Sequence, residues 1–188
     1  MEFPKIRVTV KKVRGECHRG CKEGDQFIFE DFTKAPQGFC EGAAGVIFPC
    51  IYALTFGAEF PWEENTRAIH TTCPDEGKVT FLSEVLDKQG NPEIKKREKP
   101  PTPSPKKMLV TVEEAEGKCF YHYKKGDSFE FTGLRTPDGF CGAAYHSLFP
   151  VLFALNFGAQ YPFEENKNSL AKVTCPDAGK IRFRVTRV

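Results

Sequence analysis

The sequence predicts an α+β protein built from two β-β-α-β repeats. The first observation is an internal repeat, because the stretch Pro36–Asn65 occurs again, with its main motifs retained, as Pro137–Asn166. The second is the pattern around each copy, where short alternating apolar and polar segments flank a segment with helical spacing. An internal repeat sets the architecture, so the chain of 188 residues divides into two related halves.

In the first half, alternation of apolar and polar residues predicts strands at Lys5–Lys12, Gln26–Phe32 and Lys78–Val85. Between the last two, apolar residues spaced three and four apart from Cys40 to Leu54 predict a helix with Cys40 in its first turn. Gly57 is a natural C-terminal cap for it. Pro49 lies inside this helix and predicts either a kink or a second short helix that begins near it.

The second half repeats this plan. We expect strands at Leu109–Glu113, Ser128–Thr132 and Ile181–Val188, and a helix from about Phe140 to about Phe157. The predicted organisation is therefore a first repeat at 1–85, a linker at 86–107 and a second repeat at 108–188. The linker is rich in Pro and Lys, which favours an extended, solvated spacer.

Charge and hydropathy restrict the classes of function. The net charge is +2, with +4 on the linker and −2 on the rest of the chain, so no nucleic-acid partner is indicated. No apolar run approaches the roughly 18 residues of a membrane span, and the N-terminus lacks the apolar core of a secretory signal. We therefore expect a soluble cytoplasmic protein. In a reducing compartment, clustered cysteines more often indicate metal binding or catalysis than disulfides.

Three cysteines recur at matching places in the two halves. Cys17 matches Cys119, Cys40 matches Cys141, and Cys73 matches Cys175. Cys50 instead becomes Val151, so we interpret Cys50 as an ordinary buried thiol. Three is an odd number, which disfavours disulfides within a half and suits a metal site that needs one more ligand.

The candidate fourth ligand differs between the halves. Cys21 follows Cys17 after three residues and completes a predicted four-cysteine site of Cys17, Cys21, Cys40 and Cys73. In the second half Tyr123 stands at the position of Cys21, and His122 comes one residue earlier. The second predicted site therefore consists of Cys119, Cys141 and Cys175, either completed by His122 or left open.

Thiolates are soft donors that suit both iron–sulfur clusters and zinc. Three thiolates with a non-thiolate position are typical of a [4Fe–4S] cluster, and four thiolates are typical of structural zinc as well. We expect two [4Fe–4S] clusters, one per half, with zinc as the alternative. Redox or catalytic thiols and merely buried thiols remain further interpretations. His18 and His70 have no counterparts in the other half and are interpreted as surface residues.

Several motifs carry a family resemblance. They are Gly15-x-Cys17-x-x-Gly20-x-Lys22-x-Gly24-Asp25, Gly38-Phe39-Cys40, Phe48-Pro49, Pro61-Trp62 and Cys73-Pro74-Asp75. With them the chain resembles a tandem fusion of two members of an uncharacterised family of roughly 90-residue proteins that is common in anaerobic bacteria and archaea. In that family the loop usually reads Cys-x-x-Gly-His-Lys, so Cys21 stands where a histidine is usual. The family carries no established activity, so function rests on the site.

Three functional hypotheses follow. The first is a non-enzymatic iron–sulfur protein that transfers electrons or serves as a small accessory subunit of an anaerobic redox enzyme, its protein partner. The second is a protein-interaction module in which zinc stabilises each small half. The third is an enzyme that uses an open metal site or a free thiolate in the second half, which predicts a pocket beside Cys119, Cys141 and Cys175.

Overall fold

The computed structural model of this protein describes residues 3–98 and 104–188. The chain divides into two compact units, Met1–Pro101 and Thr102–Val188. Each unit is a mixed α+β structure with one four-stranded antiparallel sheet and one helix.

The first unit contains β1 (Ile6–Val13), β2 (Gln26–Phe29), α1 (Glu41–Thr55), β3 (Ala68–Thr72) and β4 (Val79–Val85). Its sheet has the order β2-β1-β4-β3, with every neighbouring pair antiparallel. Alternate residues of β1 and β4, such as Val8 and Phe81, are buried against the apolar face of α1, which includes Ile51. This is the period-two pattern expected of a sheet with one face on the core.

The second unit contains β5 (Lys107–Ala115), β6 (Ser128–Thr132), α2 (Gly142–Asn156), β7 (Ser169–Thr174) and β8 (Ile181–Arg187). Its sheet has the matching order β6-β5-β8-β7. Val110 and Phe183 are buried on the core face of the sheet, and α2, with Leu152 buried, packs on β5 and β8.

The sequence-based prediction missed one strand in each unit, because β3 and β7 precede the last strand and make the order β-β-α-β-β. Neither has a regular alternation. In β3, Ala68 and Ile69 are both buried and the rest of the strand is not. In β7, a register shift between Leu170 and Val173 interrupts the pairing with β8. Pairing with a neighbouring strand, rather than local pattern, defines these edge strands.

Each unit has one uninterrupted helix of 15 residues, so the alternative of two short helices is wrong. Pro49 lacks an N–H group and leaves the carbonyl of Gly45 without its helical partner. Gly45 is exposed, so water can satisfy that carbonyl. Cys40 lies at the N-cap of α1, one residue before the predicted first turn, and Cys141 caps α2. Neither of these described helices is long and apolar enough to cross a membrane.

The beginning of the predicted linker is ordered against the first unit. The Asn65 side chain donates to the Glu93 carbonyl at 3.0 Å, and the Thr66 N–H donates to the Lys95 carbonyl at 2.9 Å. The predicted solvated spacer therefore includes a segment that packs on the first unit. Residues 99–103, which belong to the same predicted linker, lie outside the described residues.

Candidate metal centre

The topology brings the three cysteine-bearing segments of the first unit to one end of its sheet. Val13 at the end of β1 pairs with Val79 at the start of β4. The loop that leaves β1 and the turn that enters β4 are therefore neighbours, and the Arg14 N–H donates to the Lys78 carbonyl at 2.7 Å. In the second unit Ala115 pairs with Ile181 in the same way.

The loop after β1 folds tightly around Cys17. The Gly20 N–H donates to the Cys17 carbonyl at 2.8 Å, and Gly20 adopts a left-handed φ of +69° that glycine permits. Burial raises the pKa of the Cys17 thiol. Hydrogen bonds from the backbone N–H groups of Cys21, Arg19 and Gly20 and from the Cys21 thiol outweigh burial, so this pKa lies below its ordinary value. Cys17 is thus held in a form that favours the thiolate.

Cys21 lies near Cys17 on the same loop. Burial, its interaction with the Cys17 thiol and the negative charges of Cys17, Asp25 and Cys40 raise the pKa of Cys21 to about 11. As the pH rises, Cys17 therefore loses its proton before Cys21. The Asp25 carboxylate also closes the loop by accepting the Lys22 N–H at 2.7 Å.

Cys40 and Cys73 approach this loop from the helix start and from the turn before β4. A methyl group added at Gly42 would lie 3.8 Å from Cys40 Sγ and 3.9 Å from the Pro74 ring, so the helix start and the Cys-Pro-Asp turn meet there. The Cys73 Sγ accepts the Val79 N–H at 3.2 Å. Backbone N–H groups thus support two of the four predicted ligands.

The structure brings the four predicted ligands of the first unit to one end of the sheet, but their side chains do not point to one common metal position. Cys17 and Cys40 are close enough to Cys21 to raise its pKa, and Cys73 lies on the turn that meets the helix start. Within residues 3–98 and 104–188, no three His, Cys, Asp or Glu side chains are arranged to hold a metal ion. A metal would therefore have to draw these thiols together.

Cys50 lies apart from this group in the middle of α1. It is 5% exposed, and burial raises its pKa to about 12. An inert buried thiol of this kind is structural.

In the second unit a tyrosine occupies the place of Cys21. The Tyr123 hydroxyl accepts the Cys141 N–H at 2.8 Å, and its ring packs among Phe129 and Phe140. Burial raises the pKa of Tyr123, and the thiols of Cys141 and Cys119 add to this increase. Sequence reasoning noted that Tyr123 takes the place of Cys21 but missed this contact with the helix start.

Cys175 and His122 have separate surroundings. Cys175 is buried, and its Sγ accepts the Asp177 N–H at 3.3 Å. His122 has a left-handed φ of +58° and donates its N–H to the Cys119 carbonyl at 2.9 Å, so it takes the backbone role of Gly20. Its imidazole is exposed at the tip of the turn.

No family model, no curated protein and no solved structure matches this chain. The cysteine loops, the helix starts and the turns before the last strands are therefore the basis for a functional assignment.

Proposed function

We propose that this chain is an iron–sulfur protein with one cysteine-ligated [4Fe–4S] cluster per unit. In the first unit the ligands are Cys17, Cys21, Cys40 and Cys73. The observation that carries the proposal is the meeting of the cysteine loop, the helix start and the Cys-Pro-Asp turn at one end of the sheet, where backbone N–H groups lower the pKa of Cys17. Hydrogen bonds from backbone N–H groups to sulfur are also how proteins set the potential of such clusters.

The second unit contributes Cys119, Cys141 and Cys175, with His122 as the candidate fourth ligand. Cys141 is the N-cap residue of α2, where the first backbone N–H groups of the helix can donate to cluster sulfurs. Tyr123 stands at the sequence position of Cys21, and its hydroxyl accepts the Cys141 N–H, so this cluster has at most three thiolate ligands. Three thiolates leave one iron for histidine or for an exogenous ligand.

Assembly of the cluster in the first unit is coupled to a local closure. The four thiols lie at one end of the sheet, and the loop, the helix start and the turn must draw together around the cluster. Because the cluster binds only the folded arrangement of these segments, its binding free energy adds to the free energy of unfolding of the holoprotein. The cysteine loop is therefore the segment that cluster loss would loosen first.

The role that follows is electron transfer, or service as a small accessory subunit of an anaerobic redox enzyme in the cytoplasm. Cys17 and Cys40 are partly exposed, so a cluster on them would lie near the surface, within reach of a redox partner. We further propose that the two units arose by duplication of one member of the Cys-motif family, because their strand orders match.

The first experiment is metal and sulfide analysis of protein purified without oxygen, with absorbance and EPR spectra. We expect iron and sulfide near four per unit and a broad visible band that bleaches on reduction. Stoichiometric zinc in a colourless sample would replace clusters with the zinc-stabilised interaction module.

Two variants distinguish a cysteine that binds the cluster from a cysteine that only packs in the core. Cys40→Ser should remove the cluster of the first unit and about half of the iron. Cys50→Val copies Val151 of the second unit and should keep all of the iron. Equal iron in both variants and the parent would contradict the ligand assignment.

A further inference from the structure

The second unit has an open cleft at the start of α2. Its volume is about 510 Å³, and it lies between the segment that follows β6 and the first turns of the helix. Its lining consists of Leu134, Arg135, Thr136, Phe140, Gly142 and Tyr145. Clefts of about 300–1,000 Å³ with mainly apolar walls and a few polar groups are typical of small-molecule sites.

The aromatic walls of this cleft are held in place by the core. The Tyr145 ring lies parallel to Phe131, with centroids 6.4 Å apart and planes 4° apart, and its hydroxyl donates to the Leu134 carbonyl at 3.0 Å. Phe140 packs edge-on against Phe131 at 5.1 Å. Two rings fixed in this way offer flat surfaces to a planar ligand without loss of side-chain freedom on binding.

The polar groups of the cleft favour an anion. Arg135 is exposed, and within the described part of the chain its guanidinium has no hydrogen bond or ion pair. The first turn of α2 has neither an acidic residue nor a side-chain cap. A guanidinium binds a carboxylate through two parallel hydrogen bonds, and the Thr136 hydroxyl can donate a third.

The first unit lacks these features at the matching helix positions. The first residue of α1 is Glu41 where α2 has Gly142, and the fourth is Ala44 where α2 has Tyr145. A glutamate at the first position would repel an anion, and an alanine at the fourth supplies no aromatic wall. At these two helix positions the second unit therefore has no acid and has an aromatic ring.

We propose that the second unit binds a small aromatic carboxylate in this cleft. The carboxylate pairs with Arg135, and the ring lies against Tyr145 and Phe140. Phe140 and Gly142 flank Cys141 in the chain, so the ligand binds beside the thiol at the helix start. The inference goes beyond the proposed clusters and does not depend on them.

The test is titration of the full-length protein, as isolated, with benzoate and with indole-3-acetate. Binding is detected by calorimetry and by saturation-transfer NMR. We expect saturable binding of at least one, with benzamide, the uncharged counterpart of benzoate, at least tenfold weaker. Arg135→Met should weaken binding at least tenfold. Lys125→Met removes a positive charge from an exposed position that does not line the cleft and should leave binding unchanged.

A second variant keeps the test valid if Arg135→Met fails to fold. Gly142→Glu restores the acid of the first unit, and a side chain at this position meets no atom within 4 Å. It should fold normally and lose binding at least tenfold. The proposal is overturned if neither carboxylate binds, if Arg135→Met or Gly142→Glu binds like the parent, or if inorganic phosphate binds as tightly as benzoate.

Discussion

Arg67 closes the C-terminal end of α1, and its removal gives a loss of stability that can be calculated from its contacts. The guanidinium donates to the Ala58 carbonyl at 2.7 Å and to the Leu54 carbonyl at 3.1 Å, and Arg67 is only 7% exposed. It also reaches Glu93 in the predicted linker at 3.2 Å. Methionine has a similar length and no donor, so Arg67→Met removes these contacts while it keeps much of the packing.

The size of the stability loss depends on which backbone carbonyls remain without a hydrogen-bond donor after the substitution. The Leu54 carbonyl keeps the Gly57 N–H as a partner, whereas no other partner of the Ala58 carbonyl remains among the hydrogen bonds of the described residues. A buried carbonyl left without a donor costs about 1–3 kcal/mol, and loss of a hydrogen bond to a charged group costs about 1.5–3 kcal/mol. Since these contributions overlap, we expect the free energy of unfolding to fall by about 3 kcal/mol.

The assay is urea unfolding followed by tryptophan fluorescence. Trp62 is the single tryptophan of the chain and belongs to the first unit, so its signal reports that unit. With a slope of about 1.5 kcal/mol per molar, the loss moves the midpoint down by about 2 M urea. Glu93→Gln is the matched control, because Glu93 is 47% exposed and its ion pair contributes at most about 1 kcal/mol. A loss below about 1 kcal/mol in Arg67→Met, or an equal loss in both variants, would refute the reasoning.

Three further predictions concern the site. In metal-free protein, iodoacetamide should label Cys17 before Cys50, because the pKa of Cys17 is lowered and that of Cys50 is raised to about 12. The labelling rate of Cys17 should increase as the pH rises. Equal labelling rates of the two cysteines in the folded protein would contradict this. If the first unit holds the proposed metal site, removal of the metal should lower its free energy of unfolding, by about 4 kcal/mol in the case of an ion bound reversibly at about 1,000 times its dissociation constant. The Trp62 transition measures this change, and an unchanged midpoint would contradict the site. Gly142→Glu should raise the free energy of unfolding by about 1 kcal/mol, since it replaces a helical glycine and adds an acid at the helix start; a lower thermal midpoint would count against it.

Local pattern in the sequence predicted the elements that build the core. The alternation in β1 and β4 and the helical spacing in α1 each reflect a buried face, so the pattern and the structure agree. Strand β2 ends at Phe29, three residues before the predicted end at Phe32. There the aromatic run continues, but Phe32 packs on Tyr52 instead of pairing with β1.

The hydrogen bonds to the C-terminal carbonyls of the two helices show why some side-chain contacts could not be predicted from the sequence. In the first unit Arg67 donates to the carbonyls of Leu54 and Ala58. In the second unit the equivalent carbonyls, those of Leu155 and Ala159, accept from Arg187. Arg67 lies just before β3 and Arg187 at the end of β8, so an alignment of the two halves does not pair them. Tertiary geometry alone brings either side chain to the helix end.

The difference between the two helix starts follows from burial. Ala43 is 1% exposed, and its counterpart Ala144 is 2% exposed, so a larger residue at this position would overpack the core. The next position along each helix is only half-buried, and there alanine in the first unit becomes Tyr145 in the second. A half-buried site tolerates such a change because the ring can extend over the surface. The two units therefore match at the core position that packs the helix on the sheet and differ in the half-exposed layer around the helix start.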